Sequence, residues 1–282
     1  MGVSVLAENF RIMFRNHADQ AALACPGAAE NFPALMLQDL DRSKLCRGAD
    51  PDTLVIQGQW ERPRTCGALI LLQHNLTTNG SIRLTTDRGH DWTWGAWESI
   101  YRFGRAPLGK GVVGGYPGRT DIEELTAGPA RFIYFGPEYF TSWTLTLSDP
   151  GNPDGWLECG RLFLGPYLQA QVNFIWPYRL GHVDYSQQQR LPGGKLQVRK
   201  QRSANRLEVE FASLPHEAHF GEFHQWVRAV GNHTPFFVDP VPTAGGAERF
   251  WHRMYCHRVD TNLPETTFAN RGHYSLSLEE AL

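Results

Sequence analysis

The segment from Trp143 to Gly165, WTLTLSDPGNPDGWLECGRLFLG, constrains this chain more than any other. Trp143, Leu145 and Leu147 alternate with Thr144, Thr146 and Ser148, the period of a strand with one apolar and one polar face. That strand cannot run on. Asp149-Pro-Gly-Asn-Pro-Asp-Gly155 sets two prolines, which supply no N–H, beside two glycines, which reach positive φ freely. Trp156, Leu157, Leu162, Phe163 and Leu164 then resume the apolar pattern, with Gly160 as a bulge or close-approach point. The expectation is a strand, a turn and a strand that close one domain. Pro166 disfavours helical backbone at Gly165, so a second domain is expected to begin there. The predicted domains are residues 1–165 and 166–282.

The rest of the first domain reads as short strands. Val3, Val5 and Leu6, then Phe10, Ile12 and Phe14 at period 2, are expected to form its first strand or two. Asp39, Asp41 and Ser43 suit a compact turn. Thr53 to Trp60 is a strand, and the apolar run Cys66 to Leu72 is a strand buried on both faces, ending in Gln73, His74 and Asn75. Asn79-Gly80 signals a hairpin into the alternating Ser81 to Thr85. Asp91 to Gly118, rich in Trp, Gly and Pro, has little period and reads as a long inserted loop or pair of loops.

In the second domain Arg206 to Phe211 alternates cleanly. From His216 to Val230 the period changes: Phe223, Trp226, Val227 and Val230 fall at i, i+3, i+4 and i+7, an amphipathic helix closed by Gly231. Pro235 to Asp239, Glu248 to His257 and Gly272 to Glu280 are further strands. The predicted class is mainly β, with one helix packed on the second domain.

Two resemblances follow from these pieces. NFPALMLQDLDRSKLCRGAD, then GALILLQHNLTTNGSIRLTTDRG, then the DPGNPDG segment are similar to a galactose-binding-like, discoidin-type jelly roll over about residues 1–165. The layout after it, GRLFLGP, a long polar hairpin, a strand, one helix, PFFVDP and a last strand ending in Leu-Glu-Glu, resembles the tail-tube and distal-tail fold of long-tailed bacteriophages. That likeness implies a structural virion protein of a tail or tail tip, made in the host cytoplasm. Its partners would be further copies in a ring, other tail proteins and, in passing, DNA in the tube. The alternatives are a module that recognises a host surface glycan, and a sugar-active hydrolase.

Composition excludes more than it assigns. Net charge is −2, with 20% charged residues, so no global field favours nucleic acid or an anionic membrane. No apolar run is long enough to span a bilayer, so no membrane insertion is expected. The five cysteines include no CxxC pair, and are expected to be buried and reduced. His216 and His219 fall on one helical face, yet HExxH is not formed. There is no G-x-S-x-G elbow, and Gly111 to Gly118 lacks the Lys-Ser/Thr of a phosphate loop. No catalytic residue, cofactor or metal is therefore predicted. Trp92, Trp94, Trp97 and Tyr101 are the candidate glycan-stacking residues, with burial of the long loop as the competing role. Lys195, Arg199 and Arg202, in a basic stretch on the polar hairpin, are the candidate residues of an oligomer interface or lumen. That hairpin, between Phe174 and Phe211, has too few apolar residues around its Pro192-Gly-Gly turn to be held as a monomer's core.

Overall fold

A computed structural model describes residues 9–97, 130–190, 192–215, 217–242, 252–259, 265–268 and 271–281. The architecture is mainly β, as the strand periods require. The described residues form two units, one of them inserted in the other: Arg15 to Tyr167 make the inserted unit, while residues up to Phe14 and from Leu168 onward make the split unit.

The split unit begins with β1 (Arg11–Met13), buried along its whole length. It continues with β10 (Leu168–Gln169), β11 (Arg179–Asp184), β12 (Gln187–Arg190), β13 (Leu196–Arg199), β14 (Ser203–Pro215), β15 (Phe236–Asp239), β16 (Met254–Arg258), β17 (Glu265–Phe268) and β18 (Arg271–Glu280). The antiparallel sheet runs β10-β1-β15-β16-β18-β14-β11, with β17 also on β18. Placing residues 10–14 with the first domain is therefore corrected. Ile12 pairs with Leu168 on one side and Val238 on the other. The reason is the core: Phe10 meets Phe174 and Phe211 edge to face, at ring separations of 6.2 and 5.4 Å. Alternation marked the strand, but only these aromatic partners decide which sheet it joins.

The helix of this unit is a π-helical turn (Ala218–Phe223) followed by α1 (His224–Val230). Phe223, Trp226 and Val230 are buried, as the spacing predicted. Trp226 lies 5.2 Å from Phe236 and 6.5 Å from Tyr274, ring to ring. Gly231, at φ +57°, ends the helix and donates its N–H to the Val227 carbonyl.

The inserted unit contains β2 (Ala22–Ala24), β3 (Cys46–Arg47), β4 (Thr53–Leu72), β5 (Ser81–Thr86), β6 (Asp91–Gly95), β7 (Ala130–Ser148), β8 (Glu158–Cys159) and β9 (Leu162–Gly165). β4 and β7 pair along most of their lengths, with register shifts between Gln59 and Arg64 and between Cys66 and Ala68. Such shifts let long strands bend from one sheet of a sandwich into the other. Before the shifts the order is β2-β4-β7-β5-β6; beyond them β9 joins β4 at Ala68 to Leu71. Cys66 and Ala68 to Leu72 are buried, as the apolar run predicted.

Three sequence expectations give way here. Asn79-Gly80 does not close a hairpin between β4 and β5, because β5 pairs with β6 and β7. The turn at Asp149 to Gly155 does not return β7 onto its own successor: β8 pairs with β3, and β9 with β4. Asp91 to Gly95 is a strand, β6, and not loop; the glycine-rich stretch from Gly111 to Gly118 lies outside the described residues.

The Asp149 turn instead forms a hydrogen-bonded knot. The Asp149 carboxylate accepts from the Thr77 amide and hydroxyl at 2.6 and 2.8 Å, and from Asn152 Nδ2 at 2.9 Å. Asn75 Nδ2 donates to Asp154 at 2.9 Å, while Asn75 Oδ1 accepts from the Glu158 amide at 2.8 Å. Buried Asp149, Asn152 and Asn75 thus all have partners, which makes this polar turn a structural element.

Candidate functional site

Period 2 sorts the residues of β4, β5 and β7 onto two faces. One face is core: Leu54 and Ile56 oppose Leu147 and Leu145, which oppose Ile82 and Leu84. The other face is polar, and register aligns it in rows across the strands. One row runs Ala24, Gln57, Thr144, Thr85 and Asp91; another runs Ala22, Gln59 and Ser142. Apart from Asp91, these rows line an open trough of about 560 Å³ bounded by β2 on one side and the β5–β6 turn on the other. The volume falls within the range of small-ligand sites.

The trough has a local cause. Ala22 and Ala24 on β2 carry short side chains, so the rim does not fill the space above Gln57 and Gln59. At the far wall Gly89, at φ +81°, turns the chain and donates to the Thr86 carbonyl at 3.1 Å. That turn places Asp87, whose amide donates to the Ser142 carbonyl at 3.1 Å and whose carboxylate accepts from the Thr141 amide at 3.2 Å. Arg83, in the neighbouring row, donates to both oxygens of Asp91 at 2.8 and 2.6 Å. The guanidinium holds the Asp91 carboxyl below its ordinary range, chiefly through that hydrogen bond. The wall of the trough therefore offers two amides, several hydroxyls and the Asp87 carboxylate. Amides and hydroxyls donate and accept alike, and a carboxylate accepts, which is the chemistry that pairs with a polyhydroxylated ligand.

The predicted aromatic residues do not gather in this trough. Trp92 and Trp94 lie opposite Leu84 and Ile82, so they sit on the core face, at its edge. Trp92 stacks on His90 at 4.9 Å with an interplanar angle of 9°, on Trp94 at 6.3 Å, and against Phe135 at 4.9 Å. Both are half-buried and extend the core as a ladder. Trp97 is corrected outright as a stacking platform: it is buried and its Nε1 donates to the Leu76 carbonyl at 2.6 Å. Tyr101 lies outside the described residues, as do His216 and the side chain of His219. Sequence reasoning passed over Gln57, Gln59, Thr85, Asp87, Ser142 and Thr144, because residues on the polar face of a strand look like ordinary solvated positions. The one signal was the alternation that puts Thr144 and Thr146 on a single face.

In the split unit Lys195, Arg199 and Arg202 are exposed, on or beside the β12–β13 hairpin. β12 pairs with β13 from Gln187–Arg199 to Arg190–Leu196, and every described residue of both strands is exposed. Leu196 and Val198 are about half exposed, at 48% and 52%. β11, at the end of the sheet order, is exposed along almost its whole length.

No family model matches this sequence, and no curated protein matches it. Solved structures do. The lectin domain of lectinolysin complexed with Lewis B antigen is 9% identical, with TM-score 0.37, over 54% of this chain and 96% of that one. A fucose-binding module of Streptococcus pneumoniae is 9% identical, with TM-score 0.37, over 55% of this chain and all of that one. The family 32 carbohydrate-binding module of NanJ from C. perfringens, in complex with galactose, is 8% identical, with TM-score 0.35, over 56% and 99%. These are likenesses of strand arrangement over about half the chain.

Proposed function

We propose that the inserted unit is a carbohydrate-binding module, with the sugar laid across the trough of Gln57, Gln59, Thr85, Asp87, Ser142 and Thr144. The observation that carries this reading is the row of neutral donors and acceptors set in an open volume of about 560 Å³ behind a rim of alanines. A hydroxyl group both donates and accepts, so each amide and threonine side chain has a match on a sugar ring. The test is a glycan array on the full chain, followed by calorimetry with the best hit. Thr144→Val keeps the shape and removes a hydroxyl, and Gln57→Ala removes an amide; each should weaken binding at least about tenfold. Trp92→Phe, on the other face, should leave affinity unchanged. An empty array, or trough variants that bind like wild type, would remove the reading.

A second reading concerns the split unit, and a separate observation favours it. The β12–β13 hairpin and β11, at the end of the sheet, are exposed along almost their whole length and carry the apolar side chains Leu196 and Val198 on the hairpin. Open edges of this kind pair with another chain unless they are protected. A head-to-tail contact that closes makes a ring. On this reading the chain is a structural component of a bacteriophage tail or tail tip in the virion, displaying the inserted unit toward a host glycan. Lys195, Arg199 and Arg202 then lie at the subunit contact or the lumen, where DNA passes. Light scattering, with and without neighbouring tail components, tests it: wild type should form rings, and deletion of residues 186–194 should leave a folded monomer. Wild-type protein that stays monomeric in both settings removes this reading and leaves the first standing.

A further inference from the structure

Charge is distributed unequally around the trough. Among the described residues, Asp87 is its only ionisable lining residue; the others are amides, hydroxyl residues and apolar or glycine positions. Arg83, in the neighbouring row, is committed to both oxygens of Asp91. Arg88, next to Asp87 on the turn, is not part of the lining. Asp87 is held in place without being neutralised. Its amide donates to the Ser142 carbonyl at 3.1 Å, and its two carboxylate oxygens share the Thr141 amide at 3.2 and 3.3 Å. Among the described residues it has no cationic partner. A carboxylate offers about four acceptor positions, so one shared N–H leaves most of them unused. The side chain is exposed, at the wall of the open volume.

We propose that the trough selects cationic amino sugars, with the ammonium of a 2-amino-2-deoxyhexose on the Asp87 carboxylate and the ring hydroxyls on Gln57, Gln59 and Thr144. This rests on the reading of the trough as a sugar site and names the class of sugar it takes. An amino sugar replaces one hydroxyl by an ammonium, which brings N–H donors, no acceptor and a positive charge. That group suits a carboxylate with unused acceptor positions. N-acetylation removes the charge and keeps the ring. A uronic acid would set a second carboxylate near Asp87, with no cation in the lining to receive it.

The position of the charge also sets the orientation of the sugar. Asp87 stands at the wall formed by the β5–β6 turn, and the alanines of β2 stand at the other side, so the trough is charged at one wall only. The turn that carries Asp87 is fixed by its own backbone. The Thr86 amide donates to the His90 carbonyl at 3.0 Å, and the Gly89 amide to the Thr86 carbonyl at 3.1 Å. With the Asp87 amide also bonded to Ser142, the carboxylate is pre-organised before a ligand arrives. The ammonium therefore faces the turn, and the remaining ring lies over the neutral amides. Because the trough is open to water, the added attraction is modest and weakened by salt.

The experiment is calorimetry on the full chain with matched oligosaccharides: short oligomers of glucose and of galactose, their 2-amino-2-deoxy counterparts with free amines, and the N-acetylated forms. The amine form of the better-bound pair should bind at least about fivefold tighter than the neutral form, because a charge-assisted bond replaces a neutral one. N-acetylation should remove that preference, and raising sodium chloride from about 20 mM to about 500 mM should shrink it. Asp87→Asn keeps an acceptor for the Thr141 amide and should bring the ratio of the two affinities to within about twofold of one. Should that variant not fold, Asp87→Ser keeps a side-chain acceptor at the turn and gives the same readout. A neutral sugar that binds as tightly as its amine form, with Thr144→Val and Gln57→Ala weakening both, overturns the inference and leaves the trough a sugar site. A preference for the amine that survives loss of the Asp87 charge overturns it too, since the net charge of −2 would then be the attraction. Neutral hits on the glycan array with no amine form bound have the same consequence. An empty array removes the sugar site and this selectivity together.

Discussion

His74 is the residue whose setting is most at odds with its chemistry. It is buried beside Trp97, at a ring separation of 4.9 Å, and neither ring nitrogen has a hydrogen-bond partner. Burial, with the positive charge of Arg131 second, pushes its pKa down from 6.5 to about 3. The folded chain therefore holds this imidazole neutral across a range where the unfolded chain protonates it. A base with a lowered folded pKa contributes no pH dependence above the unfolded value, and costs stability as the pH falls from about 6.5 toward about 3. The slope approaches one proton, about 1.4 kcal/mol per pH unit. Between pH 7 and pH 4.5, His74→Leu should lose about 2 kcal/mol less than wild type in urea unfolding. Equal losses would show that the imidazole is protonated in the folded state. The sequence puts His74 at the polar end of a buried strand. The structure buries it just past the end of β4, against Trp97.

Among the elements, the pairing of β4 with β7 depends on one missing side chain. Gly58 opposes Trp143, and a Cβ at Gly58 would stand 2.2 Å from the indole ring. Trp143 is buried and packs against Trp60 at 6.2 Å, so the ring has little room to give. Gly58→Ala should therefore cost about 1–3 kcal/mol by overpacking, read as a fall in melting temperature. An unchanged melt would mean that the ring relocates freely. In the split unit the equivalent weight rests on α1. Trp226→Ala removes a fully buried indole that touches Phe223 and Phe236, and should cost about 3–5 kcal/mol. The same melting measurement checks it, and a loss under about 1 kcal/mol would contradict the packing. Both elements were legible in part. Spacing alone identified the helix and its buried face, because i, i+3, i+4, i+7 is a property of one segment. Spacing could mark β4 and β7 as strands, yet it could not show that Gly58 and Trp143 meet, since they are far apart along the chain.

At the scale of the molecule, insertion of one unit in the other makes a sharp prediction about fragments. Arg15 to Tyr167 expressed alone should melt cooperatively, since it forms a compact unit by itself. Residues 168–282 alone lack β1, which pairs with β10 on one side and β15 on the other. They should fold poorly, and fusing residues 1–14 to residue 168 through a short linker should restore a cooperative melt, followed by circular dichroism. A well-folded 168–282 fragment would show that β1 is dispensable. The sequence by itself determined where the helix and most of the longer strands run, which face of each is apolar, and that the chain changes character near Gly165. Those are local matters, set by side-chain period, proline and glycine. Only the tertiary structure decided that Phe10 and Ile12 belong to the split unit, that β9 returns to β4, and that Gln57, Thr144 and Thr85 share a row. A period of two reports which face a residue takes and is silent on the neighbouring strand, because ladder hydrogen bonds join backbones that any side chain allows.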